Sequence, residues 1–192
     1  MEDHFKAILG SITSFSETEW NEIRSCFSVK NISSKNLVTK IGDVEKNIYF
    51  IINGVLRLFC LNPKNEEVTI FLFKENHFAS CFQSFLTQSE SDQALESITD
   101  CTLLVIDKKK LEGLYESIPQ MNLVTRVISE QRFVNAQRIF TSQIMYTPEQ
   151  RYLRFEKEHG DLLLRVPHHI ISSFLGITPV SMSRIRRRII QK

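Results

Sequence analysis

The sequence predicts an α+β protein, a block of short antiparallel strands framed by helices, and three observations carry that expectation. Residues 36–107 are rich in Val, Ile, Phe, Tyr and Thr, in short apolar runs cut by turn dipeptides. From Lys108 onward the texture changes to helical periodicity, including about 26 residues without Gly or Pro. Near the end, Gly176 and Pro179 break one short helical pattern from the next.

Taken in order, residues 4–35 read as helical. Ser16 and Thr18 are candidate N-caps for "ETEWNEIRSCF", in which Trp20, Ile23 and Phe27 share a face. The strand block follows, punctuated at Gly42-Asp43, Asn53-Gly54, Asn62-Pro63 and Glu75-Asn76. About six to eight short strands there fit a β-sandwich or roll. "TQSESDQALES" reads as a surface loop, and "KKKLEGLYESI" as a short helix stopped by Pro119.

The long helix after it repeats Val124, Val127, Gln131, Val134, Arg138, Thr141 and Met145 at spacings of three and four. That stripe is long for a surface helix and polar for a core one, so a seam shared by two chains is expected. Thr147 and Pro148 start the next helix as N-cap and first residue, and Gly160 closes it. "DLLLRV" reads as a strand. The expected division is a sensor domain at 1–116, a dimerisation helix at 117–146 and a DNA-binding unit at 147–192.

The last helices carry the functional signal. "PHHIISSFL" and a helix starting at Thr178-Pro179 meet across a turn of about four residues. Ile171, Leu175, Ile177, Met182 and Ile185 supply an apolar inner face, small Ser172 marks the crossing, and Gly176 suits a left-handed turn. This pattern is a helix-turn-helix. Residues 161–192 hold six cationic residues against Asp161 alone, a net of +5. Since the whole chain is +2, the rest carries −3. A basic end on an acidic body points to an anionic partner.

The outward face then holds Val180, Ser181, Arg184, Arg187 and Arg188. Arg184 is placed to take both acceptors of a guanine in the major groove, and Val180 to touch a thymine methyl. Thr178, Ser181, Arg187, His168 and His169 suit phosphate oxygens.

At these residues the chain resembles the Crp–Fnr transcription regulators. The resemblance runs through "GDVEKNIYFIINGVLRLF", the long helix and "LGITPVSMSRIRRRI". It implies a cyclic-nucleotide-binding-type antiparallel β-roll (a double-stranded β-helix or jelly roll), a dimerising helix and a winged helix-turn-helix. With little sequence after the second helix, any wing is expected from "DLLLRV".

Two departures from the family pattern shape the functional expectation. Where nucleotide-binding members carry a Gly-Glu pair and then an Arg, this chain reads Ala79-Ser80 and Glu90 or Ser91, with Asp92 beside them. An anionic phosphate needs a cation there, so cyclic AMP binding in the family manner is not expected. Ser80, Ser84, Ser91 and Gln93 are the residues that could line a pocket for a neutral effector. In the recognition helix, Pro179-Val180 replaces the family's Arg-Glu pair, so the family's target sequence is not carried over.

The expectation is a cytoplasmic homodimer that binds an inverted repeat in double-stranded DNA, with an unknown small-molecule effector as a possible partner. The other reading is a sensor module for small molecules or proteins with weak or no sequence-specific DNA binding. Catalysis is not expected: a roll enzyme needs a His/Glu metal set, and residues 36–107 hold one histidine, His77. Cys26, Cys60, Cys81 and Cys101 lack metal-site spacing and read as free thiols. No cofactor or metal is predicted. The N-terminus lacks a basic, then apolar leader pattern, and no apolar run is long enough for a membrane helix.

Overall fold

A computed structural model describes residues 2–190, and the side chains of 4–189. Lys192, counted in the basic end, lies outside the described residues.

Two helices open the chain, α1 (Glu2–Gly10) and α2 (Glu17–Cys26). Ser16 caps α2: its hydroxyl accepts from the Glu19 N–H, while the Glu19 carboxylate accepts from the Ser16 N–H. Eight strands follow: β1 (Ser28–Ile32), β2 (Leu37–Thr39), β3 (Asn47–Asn53), β4 (Leu56–Leu61), β5 (Glu67–Phe73), β6 (Phe78–Ala79), β7 (Gln93–Ser97) and β8 (Cys101–Asp107). A short helix, α3 (Phe82–Thr87), interrupts them. They form two four-stranded antiparallel sheets, ordered β1-β8-β3-β6 and β2-β7-β4-β5.

Alternation along the strands builds two cores. Tyr49, Ile51, Leu58, Phe73, Leu95 and Leu103 point between the sheets. Phe50, Leu104 and Ile106 point the other way, out of the first sheet, and meet Phe5, Leu9, Trp20 and Ile23 of the N-terminal helices. Gly54 makes the step from one sheet to the other at φ +107°, where an added Cβ would lie 2.6 Å from the Asp100 carbonyl oxygen.

One expectation for the N-terminal stretch is corrected. Residues 28–32, read as helical, form β1, an edge strand paired to β8. Its residues are mostly exposed and polar, so no alternation marked it in the sequence.

α4 (Lys108–Ser117), capped by Asp107, leads past Pro119 to α5 (Gln120–Met145), 26 residues long. Met121 and Val124 are buried against the first sheet, with Ile128 packed beside them. Val124 therefore belongs to the chain's own core and not to the outward stripe. Beyond Arg132 the helix leaves the roll and shows exposed Phe133, Val134, Phe140, Ile144 and Met145.

Four helices complete the described chain: α6 (Pro148–His159), α7 (Leu162–Arg165), α8 (His168–Phe174) and α9 (Pro179–Ile190). Thr147 caps α6 as predicted, in a reciprocal pair with Gln150. "DLLLRV" is not a strand. Leu162–Arg165 forms one helical turn, which buries Leu162 in the cluster of Tyr152 and Phe155, and no described strand pairs with it. So the helix-turn-helix has no β wing among the described residues. No described helix is long and apolar enough to cross a membrane.

Candidate nucleic-acid interface

The helix-turn-helix is assembled from the inside. Ile171, Leu175, Met182 and Ile185 are all buried and close on Tyr152 and Phe155 of α6. Ser172 is fully buried at the crossing, where its hydroxyl donates to the His168 carbonyl at 2.7 Å and sits 3.1 Å from the Met182 sulfur. A larger side chain there would push α9 off α8. Gly176 takes φ +62° in the turn, the left-handed conformation that its position demanded.

What pins that turn is a residue that no sequence motif marked. Arg151 of α6 is buried and donates to four carbonyls, of Tyr146 at 2.7 Å, Leu175 at 2.8 Å, Gly176 at 3.3 Å and Gln143 at 3.4 Å. The guanidinium fork thus ties the end of α5 to the α8–α9 turn.

This frame leaves one face of α9 free. Val180 is 60% exposed, and Arg184, Arg187 and Arg188 are exposed. They fall at positions i, i+4, i+7 and i+8, one side of a helix. The arginines differ in what holds them. Arg188 pairs with Glu149 of α6 at 3.3 Å. Arg186 leans on the His168 ring at 2.8 Å. Arg184 and Arg187 make no ion pair with a described residue and stay available to a ligand.

The remaining predicted residues frame this face. Thr178 caps α9: its hydroxyl accepts from the Ser181 N–H at 3.1 Å and donates to the Ser181 hydroxyl at 2.9 Å. Ser181 is half-buried, and His169 is exposed at the start of α8.

The candidate pocket residues have other work. Ser80 donates to the Asn47 carbonyl at 2.9 Å. Ser84 accepts from the Glu45 N–H at 2.9 Å and donates to the Ser89 carbonyl. Ser91 donates to the Gln93 carbonyl at 2.8 Å and accepts from the Gln93 N–H at 3.1 Å. Three hydroxyls therefore brace the α3 loop, and residues 79–93 contain no Lys or Arg.

The whole assembly answers the question of kinship. Residues 29–117 match the cyclic nucleotide-binding domain family. The chain has the fold of a Crp–Fnr transcription regulator. It is similar to CLP, the c-di-GMP-responsive global regulator of Xanthomonas campestris, at 15% identity and TM-score 0.73, over 92% of each chain. FixK2 from Bradyrhizobium japonicum matches at 13% identity and TM-score 0.76, over 86% of this chain and 85% of that one. The Thermus thermophilus catabolite activator protein matches at 18% identity and TM-score 0.56, over 96% and 87%. No curated protein matches in sequence. The Crp–Fnr resemblance read from sequence motifs thus extends over nearly the whole fold.

Proposed function

We propose that the chain is a homodimeric DNA-binding transcription regulator in which α9 reads the major groove. The observation that carries this is the outward face of α9, with Arg184 and Arg187 free above a packed helix-turn-helix core. Arg184 reads a base edge, Arg187 and His169 hold phosphate, and Val180 meets a thymine methyl. The +5 end of the chain supplies the attraction to DNA.

The dimer rests on α5. Phe133, Phe140 and Ile144 stand 63%, 69% and 69% exposed on a helix whose opposite side packs on the roll. Such a row is covered when two α5 helices lie together. A two-fold dimer places two α9 helices on half-sites about one helical turn apart. The roll then sets the geometry of the pair, and its effector is not cyclic AMP held in the family manner, because the α3 loop carries no cation.

The test is fluorescence anisotropy with DNA from upstream of the chain's own gene, over a salt series, with Arg184→Ala alongside. Sequence-specific binding that falls with salt is expected. The variant is expected to lose about 1–3 kcal/mol of discrimination between sites. Equal affinity of wild type and variant for every fragment would refute base reading by Arg184.

A further inference from the structure

A narrow cleft of about 50 Å³, partly open to solvent, lies between α1, α5 and the outer face of the first sheet. It is outside the roll. Its walls are apolar and include Leu9, Phe27, Phe78, Ile106 and Val124. Its polar end is built by Ser80, Ser129 and Arg132.

Arg132 is the unusual member. It sits on α5 one turn after Ile128, on the side facing the roll, and its guanidinium lies 4.9 Å from the ring centre of Phe82 and 5.4 Å from that of Phe73. One N–H donates to the Ser80 carbonyl at 2.9 Å. The other N–H groups meet no hydrogen-bond acceptor among the described residues, and no described carboxylate lies within ion-pair distance. Burial lowers its pKa to about 10, which still leaves it charged at neutral pH. A desolvated cation without a counter-ion is costly, and the ring faces offset only part of that cost. Arg57 shows the usual remedy in the same roll: it is more deeply buried than half-buried Arg132, and two carboxylates, Glu67 and Glu96, bind it.

We infer that this cleft binds a small amphipathic carboxylate, such as a medium-chain fatty acid, with the carboxylate on Arg132 and the chain along the apolar walls. The lining selects this class. A single cation at the end of an otherwise apolar cleft matches one anionic head on one apolar tail. A polyanion would meet no second cation there, and a neutral lipid would leave Arg132 unpaired. Because one wall of the cleft is α5, the ligand would press on the helix that leads to the DNA-binding unit.

The experiment is titration calorimetry on the full chain with sodium decanoate below its micelle concentration, 1-decanol as the neutral counterpart, and cyclic AMP as competitor. Saturable binding of decanoate is expected. Decanol should bind at least about tenfold more weakly, the scale of one charge-assisted contact. Arg132→Gln should erase the preference for the acid. The decanoate–decanol comparison needs no variant, so a misfolded Arg132→Gln leaves the test intact. Equal binding of acid and alcohol, absence of saturable decanoate binding, or displacement of decanoate by cyclic AMP would each overturn the inference. No DNA enters this experiment, so its failure is distinguishable from failure of the regulator reading.

Discussion

Arg165 clasps Glu75 across 90 positions of sequence, Nη1 donating to Oε2 at 2.9 Å and Nη2 to Oε1 at 2.5 Å. Glu75 also accepts from the Gly54 N–H at 2.8 Å, so the pair joins the α7 turn to the hinge between the two sheets. Lys74 reaches Asp161 at 2.9 Å beside it, and Ser173 of α8 bridges to the backbone of β5. Through these bonds the helix-turn-helix rests on the β5 side of the roll.

Glu75→Gln is expected to loosen this seam. The pair is about one-third exposed, so the loss should be near 1 kcal/mol of stability rather than the full worth of a buried bidentate pair. Thermal unfolding of wild type and variant at neutral pH measures it.

The same contact makes the seam acid-sensitive. The Arg165 hydrogen bond is the main cause that lowers the Glu75 pKa from its ordinary 4.5 to about 2. A depressed folded pKa means the stabilisation is fully present above about pH 4.5 and declines as pH falls toward about 2. The stability gap between wild type and Glu75→Gln should therefore shrink across that window. A gap that stays constant from pH 6 to 3 would contradict the assignment.

Two glycines with positive φ should respond differently to alanine. At Gly54 (φ +107°) a Cβ would lie 2.6 Å from the Asp100 carbonyl oxygen and 2.9 Å from the Cys101 Cα, atoms that cannot move alone. At Gly176 (φ +62°) it would meet the tip of the Gln143 side chain, which can turn away. Gly176→Ala should cost about 1 kcal/mol from backbone strain, and Gly54→Ala about 3 kcal/mol or more. Urea denaturation of the two variants ranks them directly.

Arg187→Ala should weaken every DNA fragment alike. A phosphate contact carries no sequence information, so the slope of log affinity against log salt should fall by about 1 while site preference stays. A changed preference would move Arg187 to the base-reading set.

Phe140→Glu on the exposed row of α5 should convert a dimer into a monomer, seen by light scattering at micromolar concentration. The chain's own core should be unaffected, since Phe140 is 69% exposed. A dimer that survives would place the seam elsewhere.

Short-range signals made most of the fold legible. Ser16 and Thr147 stand at helix starts because their caps are closed within three residues. Turn residues and alternating apolar positions marked the roll, and the frame of Ile171, Ser172, Leu175, Gly176, Met182 and Ile185 marked the helix-turn-helix. These features depend on spacing along one chain, which the sequence displays by itself. β1 escaped notice because an exposed edge strand needs no alternation. "DLLLRV" misled because a short apolar run is decided by whatever lies beside it, here α6 rather than a strand.

What the sequence determined by itself, then, was the set of elements, the inner face of the helix-turn-helix and the lack of a cation in the α3 loop. The tertiary structure alone decided which charges are held and which are free. It tied Arg188 to Glu149 and Arg165 to Glu75, left Arg184 and Arg187 without an ion pair among the described residues, and carried Arg132 into an apolar cleft with no described carboxylate beside it. The physical reason is that charge pairing and desolvation depend on distance in space, and partners such as Glu75 and Arg165 lie 90 positions apart in the chain.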